Sequence, residues 1–206
     1  TFGAPWQQGE TLIVGIGQGY LLTAPLQLAV MTARLANGGV AVTPRLVRRP
    51  ALPAPEDADE ATPAPAFERL GISPGSLATV IKGMTRVTNE RRGTAYAARI
   101  TEPEMAMAGK TGTTQVRRIS KSERQSGVRK NEEKPWEERD HALFVAFAPV
   151  RSPRYAVAVV VEHGGSGSRK AAPIARDILR ETQRRDPARD GGPARVAERA
   201  PGVDDA

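Results

Sequence analysis

Two apolar runs, Ala142-Leu143-Phe144-Val145-Ala146-Phe147-Ala148 and Tyr155-Ala156-Val157-Ala158-Val159-Val160-Val161, constrain this chain more than anything else in it. Both have strand length, and the first is apolar on both faces, so neither face can be left to water. Pro149 to Arg154 supplies the turn between them. A third extended run lies upstream around Lys110, where the β-branched Thr111, Thr113, Thr114 and Val116 favour a strand. Three strands joined by sequential reversals predict an antiparallel sheet.

Helices surround these runs. Thr23 is placed to cap the first, Pro25 fits its opening turn, and Leu26, Leu28, Ala29, Met31, Thr32 and Leu35 continue it to Asn37-Gly38-Gly39. Ser73-Pro74 begins a second, with Leu77, Val80, Ile81, Met84 and Val87 as its apolar face. The run 171–182 closes the domain, with Ala172, Ile174, Ala175, Ile178 and Leu179 turned inward. Leu12-Ile13-Val14 reads as a short buried strand or turn lead-in, residues 40–47 as extended and broken at Pro44, and Arg91 to Ala95 as a turn. The fold class is therefore mixed α/β (α+β), an antiparallel sheet with flanking helices.

The sequence places one domain at 1–183, a Pro/Ala/Asp/Glu surface linker at 48–66, a long polar loop at 117–139 and a disordered tail at 184–206. The polar loop holds eight basic and five acidic residues around Trp136. It reads as a solvated loop, with a partner-binding or substrate-facing lip as the alternative.

The chemistry concentrates in Gly109-Lys110-Thr111-Gly112-Thr113-Thr114. Lys110 and Gly112 share a strand face by alternation. An ammonium at Lys110 suits a substrate carboxylate, and the Thr111 hydroxyl suits the same group. Gly112 leaves room for an extended peptide along the strand edge. The Thr113 backbone N–H suits a developing oxyanion. The plainer reading is an edge strand with an exposed lysine, and the triplet alone is too common to decide between them.

Other chemistries are less well supported. The chain has 206 residues and no cysteine, so disulfides and thiolate metal sites are excluded. His141 and His163 have no further ligand at metal spacing, so no metal and no cofactor are expected. Gly15-Ile16-Gly17-Gln18-Gly19 lacks the spacing of a dinucleotide loop. Gly164-Gly165-Ser166-Gly167-Ser168 lacks the glycine a hydrolase elbow needs. The net charge of +7 comes with only 4% aromatic residues, which leaves little for bases to stack on; no nucleic-acid partner is expected.

Five ordered segments carry a family resemblance. They are Gly15-Ile16-Gly17-Gln18-Gly19, Thr23-Ala24-Pro25-Leu26-Gln27-Leu28-Ala29, Leu35-Ala36-Asn37-Gly38-Gly39, Gly109-Lys110-Thr111-Gly112-Thr113-Thr114-Gln115-Val116, and Ala146-Phe147-Ala148-Pro149 with Val157 to Gly165. Together they resemble the class B penicillin-binding proteins. The long lip and Arg139-Asp140-His141 are most like the penicillin-binding protein 2 branch; the division-specific paralogues are the near alternative. The resemblance implies a transpeptidase-type sheet domain, lacking the upstream strands and nucleophile helix. It implies a peptidoglycan D,D-transpeptidase of cell elongation and rod shape, acting on D-Ala-D-Ala stem peptides and blocked by β-lactams. A non-catalytic stem-peptide or partner-binding module of the same fold is the other alternative.

On that resemblance Lys110, Thr111, Thr113 and Thr114 bind substrate, Gly112 keeps the edge open and Thr113 gives one oxyanion N–H. The implied partners are the stem peptide, β-lactams, the upstream half of the same domain and the rod-shape glycosyltransferase. The implied location is the periplasmic face of the bacterial inner membrane, with an anchor upstream. The family's Ser-x-x-Lys and Ser-x-Asn motifs occur nowhere in the 206 residues. The chain is therefore expected to be the C-terminal part of its domain, with the outer edge of the Tyr155–Val161 strand unpaired. As purified, it should not react with a fluorescent penicillin; a covalently labelled band on a denaturing gel would contradict this.

Overall fold

A computed structural model of the chain describes residues 5–19, 22–46, 68–117 and 119–187. The 48–66 linker and the tail beyond residue 187 lie outside the described residues. The elements are α1 (Gln8–Gly15), α2 (Pro25–Ala36), α3 (Pro74–Asn89), β1 (Ala108–Thr114), α4 (Lys121–Ser126), β2 (His141–Ala148), β3 (Tyr155–Val161) and α5 (Ala172–Arg185). The three strands form one antiparallel sheet in the order β1-β2-β3.

The sheet is a middle layer. Ala142, Phe144, Ala146 and Ala148 of β2 face α5, where they pack with Met107, Ile100, Ala172, Ala175 and Leu179. Phe147 turns to the other face and meets Ala108 and Met84 of α3, with Leu35 and Ala36 of α2 beside them. Phe144 and Phe147 are both fully buried. Truncating either to alanine would cost about 3–5 kcal/mol by the usual cavity penalty. Five alanines, Ala172 and Ala175 of α5 with Ala142, Ala146 and Ala148 of β2, keep the layers close, because small side chains let a helix settle onto a sheet.

Local chemistry explains the helix ends. Ser73 caps α3, its hydroxyl accepting from the Ser76 N–H at 3.1 Å, and Pro74 takes the first turn. α2 starts at Pro25 as expected, but its cap is Ala24 and not Thr23. The Ala24 N–H donates to Gln27 Oε1 at 2.7 Å, so the side chain reaching back from the third helical residue does the work. Gly38 and Gly39 end the helix at φ 85° and 86°, a region that favours glycine.

Several sequence expectations are corrected. Leu12-Ile13-Val14 is helical, within α1, with Leu12 and Ile13 exposed and Val14 half-buried. Glu10 accepts from the Gln7 N–H at 2.6 Å and starts the helix there. Ile174 and Ile178 of α5 face outward. The inner stripe is Ala172, Ala175 and Leu179, which repeats at helical spacing without them. α5 also runs to Arg185, so residues 184 and 185 are helix and not tail. Asp186 follows, accepting from Tyr155 Oη at 2.6 Å. Of 40–47, Val40 forms a single bridge to Arg69. The loop at 117–139 is not bare: it contains α4 and short turns at Asn131–Glu133 and Trp136–Glu138. β3 has a strand on one side only among the described residues.

Candidate functional site

Among the described residues β1 is a sheet edge, and it carries Lys110 to Thr114. Its register on β2 settles where each side chain goes. Ala108, Lys110, Gly112 and Thr114 lie opposite Phe147, Val145, Leu143 and His141, on the α2/α3 face. Gly109, Thr111 and Thr113 lie opposite Ala146, Phe144 and Ala142, on the α5 face. Gly109 is needed for that register, since a Cβ there would come within 2.5 Å of the Phe144 ring. Gly112 sits beneath a second glycine: a Cβ on Gly167 would meet the Gly112 carbonyl at 2.5 Å. The close backbone approach depends on the glycine at 167; a Cβ on Gly112 itself would meet the Leu143 Cβ at 3.2 Å.

Lys110 is exposed, and its ammonium donates to the Thr111 carbonyl at 2.7 Å. The Gln18 amide donates to the Thr113 carbonyl at 3.4 Å, reaching in from the glycine-rich loop after α1. Side chains outside the β1–β2 ladder meet both carbonyls, so the main chain of Thr111 and Thr113 turns its polar groups away from β2. In an extended strand the N–H and C=O of one residue point the same way. The Thr113 N–H therefore faces the open edge too. Lys110 and Thr111 leave the strand on opposite faces, so one ligand group reaches both only in the space beyond that edge. Thr114 lies at the strand end, opposite His141.

Thr94 joins this group. Its hydroxyl is 3.2 Å from that of Thr111, across a separation of 17 residues. The sequence reads 91–95 as a turn only; no local pattern marks a contact between hydroxyls so far apart in the chain. Gln18 lies inside 15–19, one of the segments that carry the family resemblance, but no local pattern marks its contact with Thr113.

The strand runs into the lip through Arg117. Its guanidinium forks onto Glu123 of α4, with Nη1 donating to Oε2 at 2.8 Å and Nη2 to Oε1 at 2.6 Å. Arg117 Nε also lies 3.3 Å from a Glu138 oxygen, which Arg129 approaches at 3.5 Å. The hydrogen bonds from Arg117 hold the Glu123 carboxyl down at about 2, against a partial desolvation that opposes them. The far side of the lip is pinned by Asn131. Its amide donates to Asp140 Oδ2 at 3.0 Å, and its own oxygen accepts from the Asp140 N–H at 3.0 Å. The nearly buried Lys134 lies 3.7 Å from the same carboxylate.

The two histidines belong to this structural seam. The His163 N–H donates to His141 Nδ1 at 2.9 Å, so that nitrogen is unprotonated. His163 Nδ1 lies 3.0 Å from the Arg139 carbonyl, which only accepts, so it carries the proton. Trp136 packs on His163 with ring centroids 4.3 Å apart. Among the described residues no three metal-ligand side chains converge.

The family model for the penicillin binding protein transpeptidase domain matches residues 3–180. Peptidoglycan D,D-transpeptidase MrdA of Haemophilus influenzae is 36% identical over 177 residues, covering 85% of this chain and 26% of that protein. Pseudomonas aeruginosa PBP2, solved in complex with WCK 5153, is 41% identical with a TM-score of 0.60, covering 84% of this chain and 32% of that one. PBP2 of Helicobacter pylori, solved in complex with MreC, is 29% identical with a TM-score of 0.67, covering 89% and 29%. The chain spans about a quarter of the length of the Haemophilus relative.

The Arg117–Glu123 fork makes a pH prediction. The folded pKa of Glu123 is depressed, so its pairing steadies the lip above the ordinary carboxylate range. That contribution is lost as pH falls from about 4.5 through about 2. Protection of the α4 amides, taken relative to intrinsic exchange at each pH, should fall across that window in the native chain. In Glu123→Gln it should be low and flat over the same window. A variant that keeps the native acid dependence would contradict the assignment.

Proposed function

The chain belongs to the penicillin-binding protein transpeptidase domain family, and from that premise we propose that it supplies the substrate-gripping edge of a peptidoglycan D,D-transpeptidase. One observation carries the reading: Lys110 and Thr111 can share a ligand group only beyond the free edge of β1. A peptide laid antiparallel to that edge would put its terminal carboxylate there.

In this reading a serine supplied by residues outside these 206 attacks the penultimate D-Ala carbonyl of a stem peptide. The terminal D-Ala leaves, and an amine of a neighbouring stem takes the acyl group. Lys110 and Thr111 hold the carboxylate of the leaving D-Ala, with Thr114 at the end of the same strand. The Thr113 N–H and the serine's own N–H receive the charge that develops on the carbonyl oxygen, which is where fixed donors contribute most. Gly112 keeps the edge clear. A β-lactam presents a carboxylate and a strained amide to the same groups, and so acylates the serine.

The names of the relatives favour the elongation branch over the division-specific one. Rod-shape maintenance, a periplasmic setting at the inner membrane and work alongside a rod-shape glycosyltransferase go with it. The Helicobacter protein's complex with MreC makes a partner of that kind a further candidate. No helix among the described residues is long and apolar enough to cross a membrane.

The test uses the full-length gene product. Lys110→Ala should lower the second-order rate of acylation by penicillin about a hundredfold, the scale of losing a fixed charge at a preorganised site. Lys82→Ala, at an exposed lysine on α3, should not. Equal rates for native and Lys110→Ala would sink the reading.

A further inference from the structure

We infer that Thr94 is a positioning residue of the carboxylate grip, directing the Thr111 proton toward the incoming carboxylate. This rests on the reading of β1 as a carboxylate-binding edge. A threonine hydroxyl has one proton to give and two lone pairs to receive, while a carboxylate only accepts. Thr111 can serve a carboxylate only if its proton is not spent elsewhere. The two hydroxyls lie 3.2 Å apart and either can donate; with Thr94 donating to Thr111 Oγ1, that need is met. The Thr111 proton is then left to point off the edge, on the side where the Lys110 ammonium already lies against the Thr111 carbonyl.

The loop that carries Thr94 is built to hold still. The Gly93 N–H donates to the Glu90 carbonyl at 2.8 Å, the Ala95 N–H to the Val87 carbonyl at 3.0 Å, and the Tyr96 N–H to the Gly93 carbonyl at 3.2 Å. Gly93 lies against the Arg86 and Val87 carbonyls, with no space for a Cβ. Ala95 is buried beside it in the main core. Thr94 itself is exposed, although both its neighbours are tied back to the end of α3. An exposed hydroxyl pair adds little to folding stability, since water competes for both groups. A rigid turn that aims one at the other contributes orientation instead.

The experiment compares acylation of the full-length gene product by a penicillin and by the methyl ester of that penicillin, which has no carboxylate charge. Thr94→Val should lower the rate for the free acid about tenfold, the scale of a hydrogen bond to a charged group. Thr94→Ser should restore it, and the ester should be insensitive to both changes. Thr94→Val with Thr111→Val should be no slower than Thr111→Val alone, because Thr94 acts through Thr111. Equal slowing of acid and ester, or a lowered melting temperature that accounts for the loss, would overturn the proposal in favour of a folding role. A native rate in Thr94→Val alongside a slowed Lys110→Ala overturns this inference alone. Native rates in both overturn the edge reading and this inference with it.

Discussion

The tip of the Phe144 ring lies over Gly109, and the rest of the site depends on that contact. No side chain fits between them, so β1 can pair with β2 in one register only. A slip of one residue would move every side chain of β1 to the opposite face. Lys110 would turn toward α5 and Thr111 toward α3, and the space beyond the edge would face different groups. The same buried phenylalanine joins the sheet to α5, so core packing and site geometry are set by one interaction.

A second layer of control sits at the far end of the strand. Arg117 follows β1 within a few residues and grips Glu123, while Asn131 and Lys134 hold Asp140 just before β2. The polar lip is thereby tied to the end of the site strand and the start of its neighbour. Exposed ion pairs contribute little one at a time. Here the guanidinium is bidentate and shared among acids on different turns, and it acts on the placement of a segment more than on overall stability. Gly167, pressed onto the Gly112 backbone, links the closing helix to the middle of the site strand.

The sheet was legible in the sequence because its signals are local. β3 has the bounds its apolar run predicts, and Ser73-Pro74 marks the start of α3. Lys110, Gly112 and the free edge follow from strand alternation and strand order. What escaped is set by contacts distant in sequence or by competition among similar residues. Ile174 and Ile178 look like core by composition, yet alanines take the inner stripe because α5 lies close to the sheet. Leu12 to Val14 read as a short buried strand or turn lead-in, because the reach of Glu10 back to Gln7 is not visible in an apolar triplet. The lip looked structureless because its order comes from ion pairs, which composition does not distinguish from solvated charge. Thr94 meets Thr111 only once α3 and β1 are packed.

In the function proposed above, Lys110 and Thr111 together hold a carboxylate off the edge of β1. A crystal structure of the full-length gene product acylated by a penicillin tests it most directly. The account expects the antibiotic's carboxylate within hydrogen-bonding distance of Thr111 Oγ1, with Lys110 Nζ facing the same group and the acyl oxygen at the Thr113 N–H. A carboxylate lying over either face of the sheet, or held by other residues altogether, would contradict it.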